Sequence, residues 1–140
     1  MSGVSFVSFD DKLREYTFIS LYLSAEVLII HHMTEELQSA VDSAVEALTS
    51  ALNPKQIYLF GSCARGTATD GSDIDLLVVV EDGSGDKLSN TSKAYRATRQ
   101  LNVSKDIIVD QESVFKKRAR WVSSIEREVM EAGKLVYGRS

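Results

Sequence analysis

Two apolar runs separated by a glycine-serine turn constrain the fold of this chain more than any other feature. The runs are residues 56–60 and 73–80, and the second is rich in the branched side chains that favour strands. We therefore predict a buried β-strand there. Asp73 and Asp75 open this strand, and residues i and i+2 of a strand share one face, about 6.6 Å apart. The two carboxylates are thus predicted to lie side by side.

Paired carboxylates on an otherwise apolar strand need a cation, because the two charges repel each other and lose solvation. Mg²⁺ is the natural candidate, since it is commonly held by one or two carboxylates together with substrate phosphates. Two Mg²⁺ ions about 3.5 to 4 Å apart could share the pair and stabilise the attacking and leaving oxygens of an in-line displacement. The pattern predicts metal-dependent phosphate chemistry.

The turn between the two runs is suited to a phosphate. A strand, a glycine and the start of a short helix present free backbone N–H groups to an anion. Gly61 has no side chain to block a phosphate, Ser62 adds a hydroxyl and Arg65 adds a positive charge. We expect these residues to bind a nucleoside triphosphate, with Arg65 either contacting a phosphate or forming a salt bridge to Asp70 or Asp73.

The P-loop is excluded as an interpretation of this turn. Gly61 and Gly66 have the spacing of its two glycines, but the motif then requires Lys followed by Ser or Thr. Thr67 and Ala68 stand at those positions. The lysine that reaches the β and γ phosphates is therefore missing.

The whole motif resembles a known signature. Gly61-Ser62, followed after ten residues by Asp73-x-Asp75, is similar to the signature of the polymerase-β-like nucleotidyltransferase superfamily. The flanking Leu-Phe-Gly-Ser-x-Ala-Arg-Gly and Ser-Asp-Ile-Asp-Leu-Leu-Val resemble its minimal nucleotidyltransferase branch. The resemblance covers residues 33–140 and implies an α/β (α+β) nucleotidyltransferase fold, in which a small mixed β-sheet is flanked by helices.

The resemblance also implies a third acidic residue on a neighbouring strand. The next apolar run is Asp106-Ile-Ile-Val-Asp110. Asp106 is the preferred residue because it opens the run, as the third aspartate of the family does. Asp110 is the alternative, since an ideal strand would place both residues on one face and periodicity does not separate them.

The remaining sequence predicts three helices. Apolar residues between positions 37 and 52 recur at helical intervals, with Thr34 as N-cap and Asn53-Pro54 as the stop. A helix over residues 87–101 is predicted to connect the two acidic strands, with Leu88, Ala94, Tyr95, Ala97 and Leu101 on its apolar face.

The closing helix is predicted from Ile125, Val129 and Met130, which recur at helical spacing. Gly133 is its stop signal, and a short strand follows at residues 135–137. The order of helix, strand, phosphate turn, strand, helix, strand and helix favours an α/β or α+β domain with one small sheet.

Composition excludes several classes of protein. With 140 residues and 44% apolar residues, the chain is expected to form one domain with its own core, and its net charge of −4 gives no general attraction to nucleic acid. A nucleic-acid acceptor is therefore possible but not favoured. Cys63 is the only cysteine, so no intramolecular disulfide is expected and a reducing cytoplasm fits.

Residues 1–32 fall outside the family pattern and form an N-terminal extension of uncertain status. Their apolar stretch, residues 18–30, is short for a membrane helix and contains Glu26, and no basic start of a signal peptide precedes it. No membrane association is expected. One hypothesis is that the physiological chain begins at Met33, and the alternative is an extra helix that packs on the domain or on a partner. His31 and His32 are interpreted as a solvated pair.

A basic cluster at residues 116–120, followed by Trp121, has several interpretations. It could contact a triphosphate, RNA or an acidic partner, but such a run is more often a solvated helix face. We favour the solvated helix face.

The resemblance implies transfer of a nucleoside monophosphate, most simply AMP from ATP, to a hydroxyl with release of pyrophosphate. Asp73 and Asp75 would hold two Mg²⁺ ions, and Asp106 would hold the ion nearer the acceptor. Gly61 and Ser62 would hold the β and γ phosphates.

The acceptor is expected to be another protein, because the chain is too short to carry a second domain for a substrate. Members of the minimal branch are often antitoxins paired with HEPN-type ribonuclease toxins, some of which they AMPylate on tyrosine. The alternative is a non-catalytic antitoxin or binding subunit that occludes its partner. The residues themselves select neither the nucleotide base nor an oligomeric state.

Overall fold

The computed structural model describes residues 4–5, 33–69 and 71–139. In these ranges the chain forms one mixed β-sheet with helices on both faces. The strands are β1 (Val4–Ser5), β2 (Gln56–Phe60), β3 (Ile74–Val80), β4 (Lys105–Gln111) and β5 (Lys134–Arg139). The helices are α1 (Glu35–Leu52), α2 (Gly61–Arg65), α3 (Lys87–Ala97), α4 (Glu112–Arg118) and α5 (Ile125–Ala132). The predicted α/β (α+β) fold, with a small mixed sheet flanked by helices, is confirmed.

The strands lie in the order β1-β5-β2-β3-β4. β3 and β4 are parallel, whereas the other neighbouring strands are antiparallel. Because parallel strands cannot be joined by a tight hairpin, the chain crosses from β3 to β4 through α3, as the sequence predicted. β4 is consequently an edge strand, and its outer side has no neighbouring strand in the described sheet.

Helix α1 begins and ends where the sequence predicted. The Thr34 hydroxyl accepts a hydrogen bond from the Leu37 N–H at 3.3 Å, which satisfies one of the unpaired donors of the first turn. Asn53 ends the helix in the left-handed region with φ of 46°, immediately before Pro54. The face of α1 that packs on the sheet consists of Leu37, Val41, Ala44, Val45 and Leu48.

Strand β3 is buried on both faces. Ile74, Leu76, Val78 and Val80 pack with α1 and α3, whereas Leu77 and Val79 pack on the other face against Phe115 of α4 and Val129 of α5. This explains the uninterrupted apolar run, since a strand covered on both sides does not alternate with polar residues. The alternation of side chains places Asp75 on the same face as Leu77.

The predicted apolar face of α3 is only partly correct. Ala94 is buried in the core, but Leu88 is 78% exposed. Asn90 is buried in its place, and its side-chain amide donates to the Gly85 carbonyl at 3.2 Å. The first turn of α3 is thus held by a polar contact to the preceding loop rather than by apolar packing.

The closing helix also departs from its predicted apolar face. Val129 is buried, but Ile125 and Met130 are 42% and 57% exposed. Glu126 is buried instead and forms an ion pair with Arg118 at 2.7 Å. The Arg118 guanidinium also lies over the Trp121 ring at 5.6 Å, so the basic cluster contributes to the α4–α5 connection.

Strand β1 pairs with β5, with Val4 opposite Arg139. Predictions for residues 6–32, including the His31–His32 pair, lie outside the described residues, and a start at Met33 stays a prediction. No helix in the described ranges is long and apolar enough to cross a membrane.

The burial of Leu48 and the exposure of Leu88 predict that a Leu→Ala substitution has different effects on stability at the two positions. Leu48 is fully buried, so we expect Leu48→Ala to lower the free energy of unfolding by about 2 to 5 kcal/mol. Leu88→Ala, at a 78% exposed position, should change it by less than about 0.5 kcal/mol. Urea denaturation measures both, and equal losses would contradict this placement of the core.

Candidate active site at the carboxylate edge of the sheet

Asp75 and Asp106 are direct neighbours across the parallel pair β3–β4. Adjacent strands lie about 4.8 Å apart, so the two side chains leave the backbone close together on one face of the sheet. Asp73 lies two residues before Asp75, immediately upstream of β3. Both Asp73 and Asp106 are exposed, and Asp75 is half-buried. The fold thus brings the three predicted carboxylates to the end of the sheet at which β3 and β4 begin. We call this end of the sheet the carboxylate edge.

Asp110 lies elsewhere. It pairs in register with Val79, about 13 Å along the strand from Asp106 at 3.3 Å per residue. Its side chain is buried, and Oδ1 accepts from Lys87 Nζ at 2.9 Å. The register therefore places Asp106, and not Asp110, beside Asp75, while Asp110 ties the start of α3 to β4.

The electrostatics of Asp75 reflect its neighbours. Burial, followed by the negative charges of Asp106, Asp73 and Glu128, raises the pKa of its carboxyl group, and Arg65 opposes the shift. A bound cation would relieve this repulsion. The donor set fits a hard cation such as Mg²⁺, because all three groups are carboxylates.

The three side chains do not form a finished metal site as they stand. Within the described ranges, no group of three or more histidine, cysteine, aspartate or glutamate side chains is already arranged around a common ion position. The backbone therefore places three carboxylates near one another without grouping them around one ion position.

Gly61 lies directly against Asp75. It follows β2 with φ of +70°, and a Cβ atom at this position would collide with Asp75 Oδ2. The left-handed backbone and the lack of space for a Cβ atom therefore both favour glycine at this position. The short helix α2 starts at Gly61 itself, so Ser62 lies in its first turn. The predicted phosphate turn and the predicted carboxylates meet at this point.

Cys63 supports this junction from inside. Its thiol is buried and donates to the backbone carbonyl of Asp73 at 3.5 Å. Burial, together with the charge of Asp75, raises the pKa of the thiol. A protonated, enclosed thiol is a poor nucleophile, so Cys63 has a structural role in holding the segment before β3.

Arg65 forms an ion pair that the sequence did not indicate. It forms an ion pair with Glu128 of α5 at 3.0 Å, with 52% and 45% of the two side chains exposed. The alternative salt bridge to Asp73 is not found, and Asp70 lies outside the described residues. The predicted contact with a phosphate stays a prediction. The pair links the phosphate turn to α5. The sequence did not indicate that Glu128 would contact the turn, because acidic residues are common on exposed helices.

Tyr95 is a second residue that the sequence did not identify as part of the site. The pattern assigned it to the apolar face of a helix, but its hydroxyl contacts Asp106 Oδ1 at 3.3 Å and the Ile107 N–H at 3.0 Å. No local pattern predicts such a contact between a helix and an edge strand.

The sequence is similar to those of known nucleotidyltransferases. The chain matches the model of the nucleotidyltransferase domain over residues 41–136. It is 36% identical over 107 residues to a candidate protein adenylyltransferase of Methanocaldococcus jannaschii, an alignment that covers 75% of this chain and 100% of the relative.

Among solved structures, the fold is similar to that of a toxin–antitoxin crystal structure with AMP-PNP. The TM-score is 0.52 at 24% identity, and the alignment covers 75% of this chain and 74% of the other. The match supports the same arrangement of helices and strands. From the family match and the identity with the archaeal relative, we conclude that this chain belongs to the nucleotidyltransferase domain family.

Proposed function

We propose that the chain transfers AMP from ATP to a hydroxyl group on a partner protein and releases pyrophosphate. The observation that carries this proposal is the register of β3 and β4, which sets Asp75 beside Asp106 and against the Gly61 backbone. Carboxylates for metal ions and a turn for phosphates are the two parts that nucleotidyl transfer requires.

The comparisons support both the nucleotide and the acceptor. The relative from Methanocaldococcus jannaschii is a candidate protein adenylyltransferase, and the chain covers its full length. The toxin–antitoxin structure with the same fold contains AMP-PNP, an ATP analogue. These relatives favour adenosine nucleotides as donors and a protein as the acceptor.

Asp73, Asp75 and Asp106 would hold two Mg²⁺ ions. Bound there, the ions would neutralise phosphate charge and favour the ionised form of the acceptor hydroxyl. The raised pKa of Asp75 supports this assignment, because part of the shift comes from the charges of Asp106 and Asp73. The binding of cations would remove a repulsion that the fold maintains.

The chain itself would bind and orient the substrates. Gly61 and Ser62 hold the β and γ phosphates through backbone N–H groups and a hydroxyl, which aligns the α phosphorus for in-line attack. The bond from the acceptor oxygen to the α phosphorus forms as the bond to pyrophosphate breaks. Asp106 is exposed and can receive the proton of the acceptor hydroxyl.

Arg65 would bind the triphosphate after release from Glu128. An ion pair between two half-exposed side chains contributes at most about 1 kcal/mol, so a polyphosphate can compete for the guanidinium. The release would also leave the carboxylate of Glu128 without its cation at the border of the site. Binding of ATP to Arg65 would therefore break the ion pair that joins α2 to α5.

The partner that we favour is a HEPN-type toxin, as the resemblance to minimal nucleotidyltransferases implies. The fold similarity to a toxin–antitoxin structure supports this choice. A net charge of −4 disfavours nucleic acid as the acceptor. We place the catalytic domain in residues 33–140 and the protein in the cytoplasm, where its single buried thiol would stay reduced.

The alternative function is a non-catalytic antitoxin that occludes its partner. The exposed apolar side chains of Trp121 and Val122, 52% and 84% accessible, favour a protein contact next to α5. In that case ATP could bind without transfer.

Radiolabelled ATP tests the proposed transfer. We expect label from α-³²P-ATP, but not from γ-³²P-ATP, to appear on a protein of source-cell lysate in the presence of Mg²⁺. Asp75→Asn should lower the rate by roughly a thousandfold or more, because it removes a metal ligand. Asp110→Asn is the matched control, since Asp110 is paired with Lys87, and it should retain most of the activity.

Transfer of the γ label would instead indicate a kinase. Full activity of Asp75→Asn, or loss of activity only in Asp110→Asn, would contradict the carboxylate assignment. Label that nuclease removes would show a nucleic-acid acceptor, and ATP binding without any transfer would support the non-catalytic alternative.

Substitution of Gly61 by alanine tests the close approach of the turn to Asp75. Gly61→Ala and Gly83→Ala both force alanine into a positive φ, of +70° and +82°, but nothing lies within 4 Å of a Cβ at Gly83. Gly83→Ala should cost about 1 to 2 kcal/mol of stability. Gly61→Ala should cost more, because its Cβ atom also collides with Asp75 Oδ2. Only Gly61→Ala should abolish ATP binding in calorimetric titrations, and normal binding by this variant would exclude the proposed turn.

Arg65 and Glu128 can be separated by two substitutions. If Arg65 binds phosphate, Arg65→Ala should weaken ATP binding by about tenfold, the loss of one charge-assisted hydrogen bond. Glu128→Gln should leave the affinity unchanged or raise it, because Arg65 is then free. Arg127→Ala removes a comparable exposed ion pair with Glu131 and serves as the control. Equal losses in Arg65→Ala and Glu128→Gln would assign Arg65 a purely structural role.

A further inference from the structure

The hydroxyl of Tyr95 occupies a defined position between α3 and the start of β4. It accepts a hydrogen bond from the Ile107 N–H at 3.0 Å and lies 3.3 Å from Asp106 Oδ1. Tyr95 is 38% exposed, so the contact lies at the surface of the carboxylate edge. One side chain therefore joins a backbone group and a carboxylate of the candidate site.

The position of β4 explains the first contact. β4 is an edge strand, and its other side is paired with β3. N–H groups that point away from β3 have no strand partner and need another acceptor. The Tyr95 hydroxyl accepts from one of them, which fixes the oxygen relative to the backbone of Ile107.

This first contact determines the direction of the second. A phenol has one proton to donate, and an ionised carboxylate can only accept. With the Ile107 N–H donating to the phenol oxygen, the phenolic proton is available for Asp106 Oδ1. Asp106 Oδ2 makes no hydrogen bond within the described part of the chain and stays available to another ligand.

We propose that Tyr95 is a positioning residue that holds Asp106 in the orientation needed for metal binding. This inference rests on the proposed function, in which Asp106 is a metal ligand. An exposed aspartate at a strand start otherwise samples several rotamers, and fixing one of them lowers the entropy lost when a metal binds. Mutation of a group that hydrogen-bonds a metal ligand typically lowers the metal affinity by about 10- to 100-fold.

A purely structural role would have a different signature. If Tyr95 only satisfied the Ile107 N–H or packed α3 on β4, its removal would lower stability without acting through Asp106. The two roles can be separated because the Ile107 N–H lies at an edge where water can replace the phenol. Tyr95→Phe keeps the ring and removes only the oxygen.

Tyr58→Phe is the matched control. It removes the same atom from a half-buried tyrosine on β2, whose ring stacks on Phe115 at 5.7 Å. Within the described residues, the Tyr58 hydroxyl makes no hydrogen bond, so its loss should leave the carboxylate edge unchanged.

Binding of Mn²⁺ in the presence of a non-hydrolysable ATP analogue tests the inference by electron paramagnetic resonance. We expect two ions bound to the wild type, and about a tenfold weaker affinity for one of them in Tyr95→Phe. Tyr58→Phe should match the wild type. In Asp106→Asn, the further change Tyr95→Phe should have no added effect, because Tyr95 acts through Asp106.

Two results would overturn this inference alone: wild-type affinity for both ions in Tyr95→Phe, or an equal loss in the presence and absence of the Asp106 carboxylate. Failure of the wild type itself to bind two ions would overturn the metal arrangement of the proposed function and this inference with it. Because that failure is seen without any substitution, the two outcomes are distinguishable.

Discussion

The parallel pairing of β3 with β4 is the constraint on which the rest of the site depends. It sets Asp75 opposite Asp106 and leaves Asp110 four residues deeper in the structure. Parallel strands need a crossover, so the same pairing requires α3, and α3 brings Tyr95 to the edge of β4. Asp75 at the start of β3 and Asp106 at the start of β4 thereby become neighbours, although the rest of β3 and the whole crossover separate them in the sequence. The residue that contacts Asp106 comes from the crossover itself.

Apolar burial holds this repulsive arrangement in place. β3 is covered on one face by α1 and α3 and on the other by α4 and α5, and its residues from Leu76 to Val80 are almost completely buried. The covering ends at Asp75, which is half-buried and whose pKa is raised by burial and by neighbouring carboxylates. Gly61 closes the same corner without a side chain. The hydrophobic core thus stabilises a cluster of carboxylates that would otherwise separate.

Sequence reasoning predicted the local features and missed those that depend on distant packing. The strand with Asp75, the turn at Gly61 and the amphipathic helix α1 follow from patterns within about 20 residues. The register that brings Asp106 to Asp75 is a long-range property: periodicity did not separate Asp106 from Asp110, and only the family resemblance favoured Asp106. The contacts of Glu128 and Tyr95 likewise arise from the packing of helices on the sheet. Their residue types are common on helices, so no local signal marked them.

The most direct test of the account is a crystal structure of the protein with Mn²⁺ and a non-hydrolysable ATP analogue, with the metal located by anomalous scattering. We expect two anomalous peaks next to Asp73, Asp75 and Asp106, with the β and γ phosphates on the backbone of Gly61 and Ser62. A nucleotide bound without metal at these carboxylates, or a metal bound at Asp110, would contradict it.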